Sequence, residues 1–317
     1  MKTIGIITDV CHQNQQTVYS DSKESIFQLS SHLKNKGHQV AIYAAPPEQL
    51  LDIALVCDLE HVERLQQIAK RIYFWPQGIC QQTYPEALLN ILSGVLWLTD
   101  WQRQQWSSYS PAFTRFTRVF GHGVDPNEFG PVLPRENPHS CIYASQDARG
   151  LEILLRHWAY LKMSYPKATL DLYYGEDHWD TVSLKEREAI CSKMARLKPL
   201  GVQEHPSATR HEIHRALEAS SMWLCPNVSP AASCMTALKA QIAGTIPIAI
   251  LPRPSAYAEV IRMGAFSENP QSYYDILSRI FFHIPNVPLS TRQQMGDFVR
   301  NELTWEKLAD RFEEMTQ

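Results

Sequence analysis

Two loops in the second half of the chain carry residue types that hold an anion. In Tyr143-Ala144-Ser145-Gln146-Asp147-Ala148-Arg149-Gly150-Leu151 an apolar run gives way to a short polar loop and then to a helical pattern. An arginine at a helix start lies beside backbone N–H groups without intrahelical partners, and together they suit a phosphate. The second loop runs from Pro226 to Thr236 (PNVSPAASCMT) and leads into another helix start at Ser233. Its small residues permit close backbone approach, which suits a diphosphate. Each loop also has a plain alternative: a solvated Arg149, or Ser233 as a cap over residues that merely pack. Two such loops at the ends of adjacent strands favour the phosphate.

Other chemistries find little here. The first strand is not followed by GxGxxG, and no Walker loop, HExxH or GxSxG occurs. Asp177-His178-Trp179-Asp180 offers ligand types in a short stretch. A solvated turn is the simpler account, and no metal or cofactor is expected.

The elements that must position these loops follow from periodicity. Thr3–Ile7, Val40–Tyr43, Ile53–Val56, Ile72–Phe74 and Val95–Leu98 read as strands, with Ile26, Leu29 and Leu33 on one helical face between the first two. Gly37 marks the end of that helix. Gly130–His139 (GPVLPRENPH) is proline-rich, lacks an apolar period and reads as a linker. After it the alternation restarts. Cys141–Ala144, Leu170–Tyr174, Met222–Cys225 and Pro247–Ile250 read as strands. Leu151, Leu154, Leu155, Trp158 and Leu161 make a helical stripe, and Thr209 with Glu212 matches a capping box. Ser233–Ala243 reads as a helix closed by Gly244, and Ser290–Met315 as an amphipathic helical stretch. Apolar runs buried on both faces suit parallel sheets covered by helices. The expected fold is therefore α/β, with two Rossmann-like, doubly wound domains facing across a cleft.

Composition sets the bounds. With 317 residues, 44% hydrophobic and 20% charged, the chain can bury two ordinary cores. A net charge of −3 argues against a protein built to cover nucleic acid. No apolar run is long enough to span a bilayer, and MKTIGIITDV lacks the apolar region of a signal peptide. Seven scattered cysteines without a CxxC pair read as reduced, packed thiols of a cytoplasmic protein.

The second half resembles the donor-binding domain of GT-B glycosyltransferases of the large retaining family (glycosyltransferase family 4-like). The resemblance rests on Ile142–Ser145 through Arg149–Glu152, on Leu170–Gly175, on EIHRALEASSMWLCP (212–226) and most specifically on SCMTALKAQIAGTIP (233–247). The first half is similar more loosely, in LKNKGHQVAIY (33–43), LTDWQRQQWSSY (98–109) and FGHGVDPNEF (120–129), where His122 stands in place of the usual Asn. Thr304–Ala309 resembles the final helix, which in GT-B proteins crosses back onto the first domain. The implied division is 1–132 on the acceptor side, 133–298 for the nucleotide-sugar donor, and 299–317 as the returning helix. The implied donor contacts are Ser145, Arg149, Gly150, Gly175, His205, Ser233, Cys234, Met235, Thr236 and Lys239.

The sequence departs from that family at its E-x7-E motif, where Ala231 and Lys239 stand. Alanine makes no side-chain hydrogen bond, and lysine donates without accepting, so neither reads sugar hydroxyls as glutamate does. Lys239 could instead pair with a phosphate. The loop after the first strand lacks the usual Gly-Gly and offers His12, while Trp75-Pro76-Gln77-Gly78 offers Gln77 where relatives place a histidine. His12 and Gln77 are the catalytic candidates. The resemblance implies transfer of a sugar from a nucleotide-sugar to a glycan, lipid-linked or small-molecule acceptor, with retention and without metal. The alternative is a GT-B scaffold that lost catalysis and serves as a sugar- or nucleotide-binding or accessory subunit of an active transferase. His32, Lys34 and Lys36 read as a solvated helix face, with peripheral contact to anionic lipid as the alternative, and a homo-oligomer or a transferase partner is a further expectation.

Overall fold

The computed structural model describes residues 1–9, 21–145, 148–173, 183–206, 208–227, 229–251 and 255–317. The chain forms two compact units. The first comprises Met1–Gly123, Ala231–Met235 and Leu303–Gln317, and the second Val124–Pro230 and Thr236–Glu302.

In the first unit the strands are β1 (Thr3–Ile7), β2 (Gln39–Tyr43), β3 (Leu51–Val56), β4 (Ala69–Phe74) and β5 (Gly94–Val95). Helices α1 (Asp21–Asn35), α2 (Val62–Leu65) and α3 (Glu86–Leu89) lie between them in sequence, and α4 (Asp100–Tyr109) follows. All pairings are parallel, in the order β2-β1-β3-β4-β5. The run expected over Val95–Leu98 keeps only its start as a strand. Beyond it Trp97 bridges to Val119, and Leu98 N donates to the side chain of Gln102.

In the second unit, β6 (Ser140–Ala144), α5 (Ala148–Ser164), β7 (Thr169–Tyr173), α6 (Leu184–Leu197), β8 (Val202–His205), α7 (Arg210–Ala219) and β9 (Met222–Cys225) follow one another. Then come α8 (Met235–Ile242), β10 (Ile246–Ile250), α9 (Ala256–Val260), β11 (Ala265–Ser267), α10 (Pro270–His283) and α11 (Leu289–Glu302). This sheet is also parallel, ordered β11-β10-β9-β6-β7-β8. β6 and β9 are buried at nearly every residue, as a sheet covered on both faces requires. The capping box at Thr209 and Glu212 forms and opens α7. Strands β8 and β11 escaped the sequence reading: β8 sits at a sheet edge with Gln203 and Glu204 exposed, and β11 is three residues long.

One expectation changes and one is refined. Gly130–His139 is not a free linker. Arg135 Nε donates to Ser220 O at 2.8 Å, Asn137 Nδ2 to Lys167 O at 2.9 Å, and His139 stacks on Phe281, so the stretch is tied to the second unit. The helical C-terminal stretch divides into two helices, the second beginning where the sequence resembles a final helix. Thr304 is extended and its hydroxyl accepts from Lys307 N, which ends α11 and starts α12 (Trp305–Met315). Trp305, Leu308, Ala309 and Phe312 form one apolar face of α12 and pack into the first unit's core with Ile6, Leu29 and Leu33.

Candidate functional site

A parallel sheet of order 3-2-1-4-5-6 has one place where a ligand is received without displacing a covering helix. The chain leaves the first strand in one direction, then returns to its other side, and the loops at that switch diverge. In the second unit that switch lies between β6 and β9, neighbours in the sheet although β7 and β8 intervene in sequence. The loop after β6 leads to α5, and the loop after β9 leads to α8. Both expected anion-holding loops thus belong to strands paired side by side at Cys141 with Met222 and Ile142 with Trp223.

After β6, Ser145 is half-buried, and Gly150 is buried in the first turn of α5. The side chain of Arg149 lies outside the described residues, as do His12, Gly175 and the Asp177–Asp180 stretch. After β9, Asn227 fixes the start of the loop. Its Nδ2 donates to Tyr257 Oη at 2.8 Å, and its Oδ1 accepts from Ser229 N at 3.0 Å in an Asx turn. The next stretch, Ala231–Met235, belongs to the first unit. There Thr99 Oγ1 donates to Ala232 O at 2.8 Å, and Ser25 Oγ donates to Met235 Sδ at 3.3 Å. Cys234 and Met235 are buried, so they offer a ligand backbone rather than side chains. The Ser233 hydroxyl is buried and has no partner among the described residues, so it does not cap α8. A buried hydroxyl left unbonded at a helix start is an open position for a ligand or a water. Thr236 is half-buried in the first turn of α8.

The two motif positions differ. Ala231 is half-buried. Lys239 is only 2% exposed, and burial pushes its ammonium well below the usual lysine range. It is thus enclosed on α8 rather than extended into solvent. His205, the last residue of β8, directs Nε2 to Asp171 Oδ1 at 2.8 Å and stacks on Tyr173 with ring centroids 4.6 Å apart. Its position there follows from cross-strand pairing between β8 and β7.

The first unit has its own switch between β1 and β3. Gln77 follows β4, half-exposed, with Nε2 3.4 Å from Trp75 O. Gln102 braces that turn by donating to Pro76 O and Gly78 O. His122 is buried between Ser25 (Oγ to Nδ1, 3.3 Å) and the edge of the Trp305 ring, and burial pushes it down to about 4, so it is a neutral imidazole. Its flanking glycines serve the docking of α12. Gly121 has φ +91°, and a Cβ on Gly123 would fall 2.7 Å from Trp305 N. The Ser25–His122 contact was hidden in the sequence by a separation of 97 positions. Lys36, expected among the lipid-facing cations, is instead paired with Asp310 and Glu313. Among the described residues no helix is long and apolar enough to cross a membrane.

Comparison with solved structures places this architecture. A glycosyltransferase from Rickettsia africae superposes with TM-score 0.74 at 13% identity, covering 99% of this chain and 97% of that one. Anabaena HepE in complex with UDP-glucose gives TM-score 0.70 at 11% identity, covering 99% of both chains. Sucrose-phosphate synthase from Thermosynechococcus elongatus gives 0.69 at 14% identity, covering 99% and 98%. No family model matches the sequence, and no curated protein matches it. The chain has the two-sheet α/β fold of GT-B glycosyltransferases.

Proposed function

We propose that the second unit binds a nucleotide-sugar at the carboxyl ends of β6 and β9, and that the chain transfers the sugar to an acceptor with retention and without a metal. The observation that carries this reading is the sheet order: it sets the loops that open α5 and α8 side by side at a switch point. Helix N-termini carry partial positive charge and unpaired N–H donors, matched to a diphosphate. The fold is that of a protein solved with UDP-glucose, which supports the same ligand class here.

As the sugar's anomeric bond breaks, negative charge grows on the departing diphosphate. Backbone donors at the starts of both helices stabilise that charge without reorganising, and Arg149, at the start of α5, adds a full positive charge. Ser233 contributes a buried hydroxyl already free to bond. Retention and independence from metal rest on the family resemblance. The acceptor is a glycan, a lipid-linked sugar or a small molecule.

A second reading, a nucleotide- or sugar-binding subunit without transfer, is favoured by Ala231 and by the burial of Lys239. Neither side chain accepts a bond from a sugar or ribose hydroxyl. Thermal shift and calorimetry against a panel of nucleotide-sugars, with no metal added, test the site. Binding raises apparent stability, by roughly 2.7 kcal/mol at a hundredfold excess over Kd. The expected result is one donor that binds and loses its shift in Arg149→Ala. Transfer measured with the Ala231→Glu/Lys239→Glu double variant then separates the two readings. No shift from any donor or free nucleotide at saturation overturns both.

A further inference from the structure

The opposite end of the second sheet holds a separate cavity. It has a volume of about 220 Å3 and lies at the amino ends of β10 and β11, between α10 and α11. Strands of five residues at ~3.3 Å per residue put this end about 15 Å from the switch point. Its walls are mostly apolar, with Ile246, Met263, Ile280 and Met295 among them; His283 and Thr291 also line it, as does one charged group that is itself buried, Arg292.

Arg292 is 4% exposed and lines the cavity. Its Nη1 donates to Ser221 O and to Gly244 O, both at 2.9 Å, which fixes the plane of the guanidinium. Nε and Nη2 make no hydrogen bond among the described residues and are not among the sealed, unbonded polar atoms. Burial and the like charge of Arg135 bring Arg292 down to about 10, so it remains cationic at neutral pH, and among the described residues no carboxylate pairs with it. A fixed guanidinium with unused N–H bonds in an apolar cavity complements an anionic head on an apolar body. An engineered apolar cavity of about 150 Å3 takes benzene, so this one is large enough for an alkyl segment.

We propose that this cavity is a binding site for a small amphiphilic carboxylate, with the head group on Nε and Nη2 of Arg292 and the alkyl chain between α10 and α11. The site is independent of nucleotide-sugar binding at the other end of the sheet. Phosphate or sulfate alone lacks the apolar body, and a neutral alcohol lacks the charge.

Octanoate and octan-1-ol, titrated into the full chain by calorimetry and followed by ligand-observed NMR, test it. The expected result is saturable octanoate binding at least about tenfold tighter than that of the alcohol, since a charge-assisted bidentate bond is lost in the latter. Thr291→Phe fills the cavity from the first turn of α11 without touching the bonds of Arg292, and Met263→Trp does so from the other wall. Both variants, checked for an unchanged urea transition, are expected to lose octanoate binding. Equal binding of acid and alcohol, retention of octanoate by both filled variants, or no saturable binding overturns the proposal. A dimer in sedimentation that Thr291→Phe dissociates also overturns it, because the occupant would then be a second copy of the chain.

Discussion

At the carboxyl end of the second sheet, strands run out into helix N-termini, and what they present is backbone N–H. At the amino end, helices α7 and α8 run out toward β9 and β10, and what they present is carbonyl oxygen. The chain answers the second need itself. Arg135 Nε donates to Ser220 O, and Arg292 donates to Ser221 O and Gly244 O, so two guanidiniums collect the carbonyls that precede β9 and β10. It answers the first need only in part, since the buried Ser233 hydroxyl has no partner. The direction of the chain makes the two ends chemically opposite. At one end the carbonyls are met by internal cations, and at the other the N–H groups are those proposed to receive a diphosphate.

Three measurements break or sharpen this contrast. Arg292→Ala has the largest expected effect. It leaves Gly244 O unbonded among the described residues, while Ser221 O keeps the N–H of Ile246, and with two charge-assisted bonds lost it is expected to cost about 3 kcal/mol in urea unfolding. A loss within about 0.5 kcal/mol would mean that water replaces the guanidinium and that the amino end is not internally finished.

Acid comes next. His214 lies on α7, the helix that precedes the carbonyl held by Arg135, and burial, with Arg210 and His211 nearby, pushes it down to about 4. A histidine whose folded pKa lies below its unfolded value contributes no loss above about 6.5. Its penalty grows as pH falls toward 4, up to about 3 kcal/mol. His122 does the same in the first unit. His214→Asn is expected to flatten the fall in stability between pH 6.5 and 4. An unchanged slope would remove His214 as its source.

The smallest effect on stability is expected at the carboxyl end. Ser233→Ala removes a hydroxyl that makes no bond, so the free protein changes by about 0.5 kcal/mol or less. Nucleotide-sugar binding is nevertheless expected to weaken about tenfold, as for one lost hydrogen bond to a charged group. A marked loss of stability in the free protein would place Ser233 in the structure rather than in the site.

Much of the frame was readable along the chain because it is local. Apolar runs with helical stripes between them define strands and helices through their period, and Thr209 with Glu212 marks a helix start within four positions. The two loops proposed to hold an anion lie where the sequence places them, between a strand and a helix, for the same reason. The edge strand β8 was not, because exposed Gln203 and Glu204 erase the alternation that signals a strand. The start of the final helix was legible through the resemblance at Thr304–Ala309, while periodicity alone gave one helical stretch over Ser290–Met315.

The α/β class, the order of most elements and the two strand-to-helix loops were thus readable along the chain, since periods and caps act over a few residues. Only the folded chain decided that Lys239 is buried, that His122 meets Ser25, and that Arg292 lines a cavity, while the pairing of β6 with β9 bears out the adjacency read for their loops. Burial and partnership depend on contacts between positions tens to hundreds of residues apart, and no local pattern encodes which of two lysines or arginines the fold will enclose.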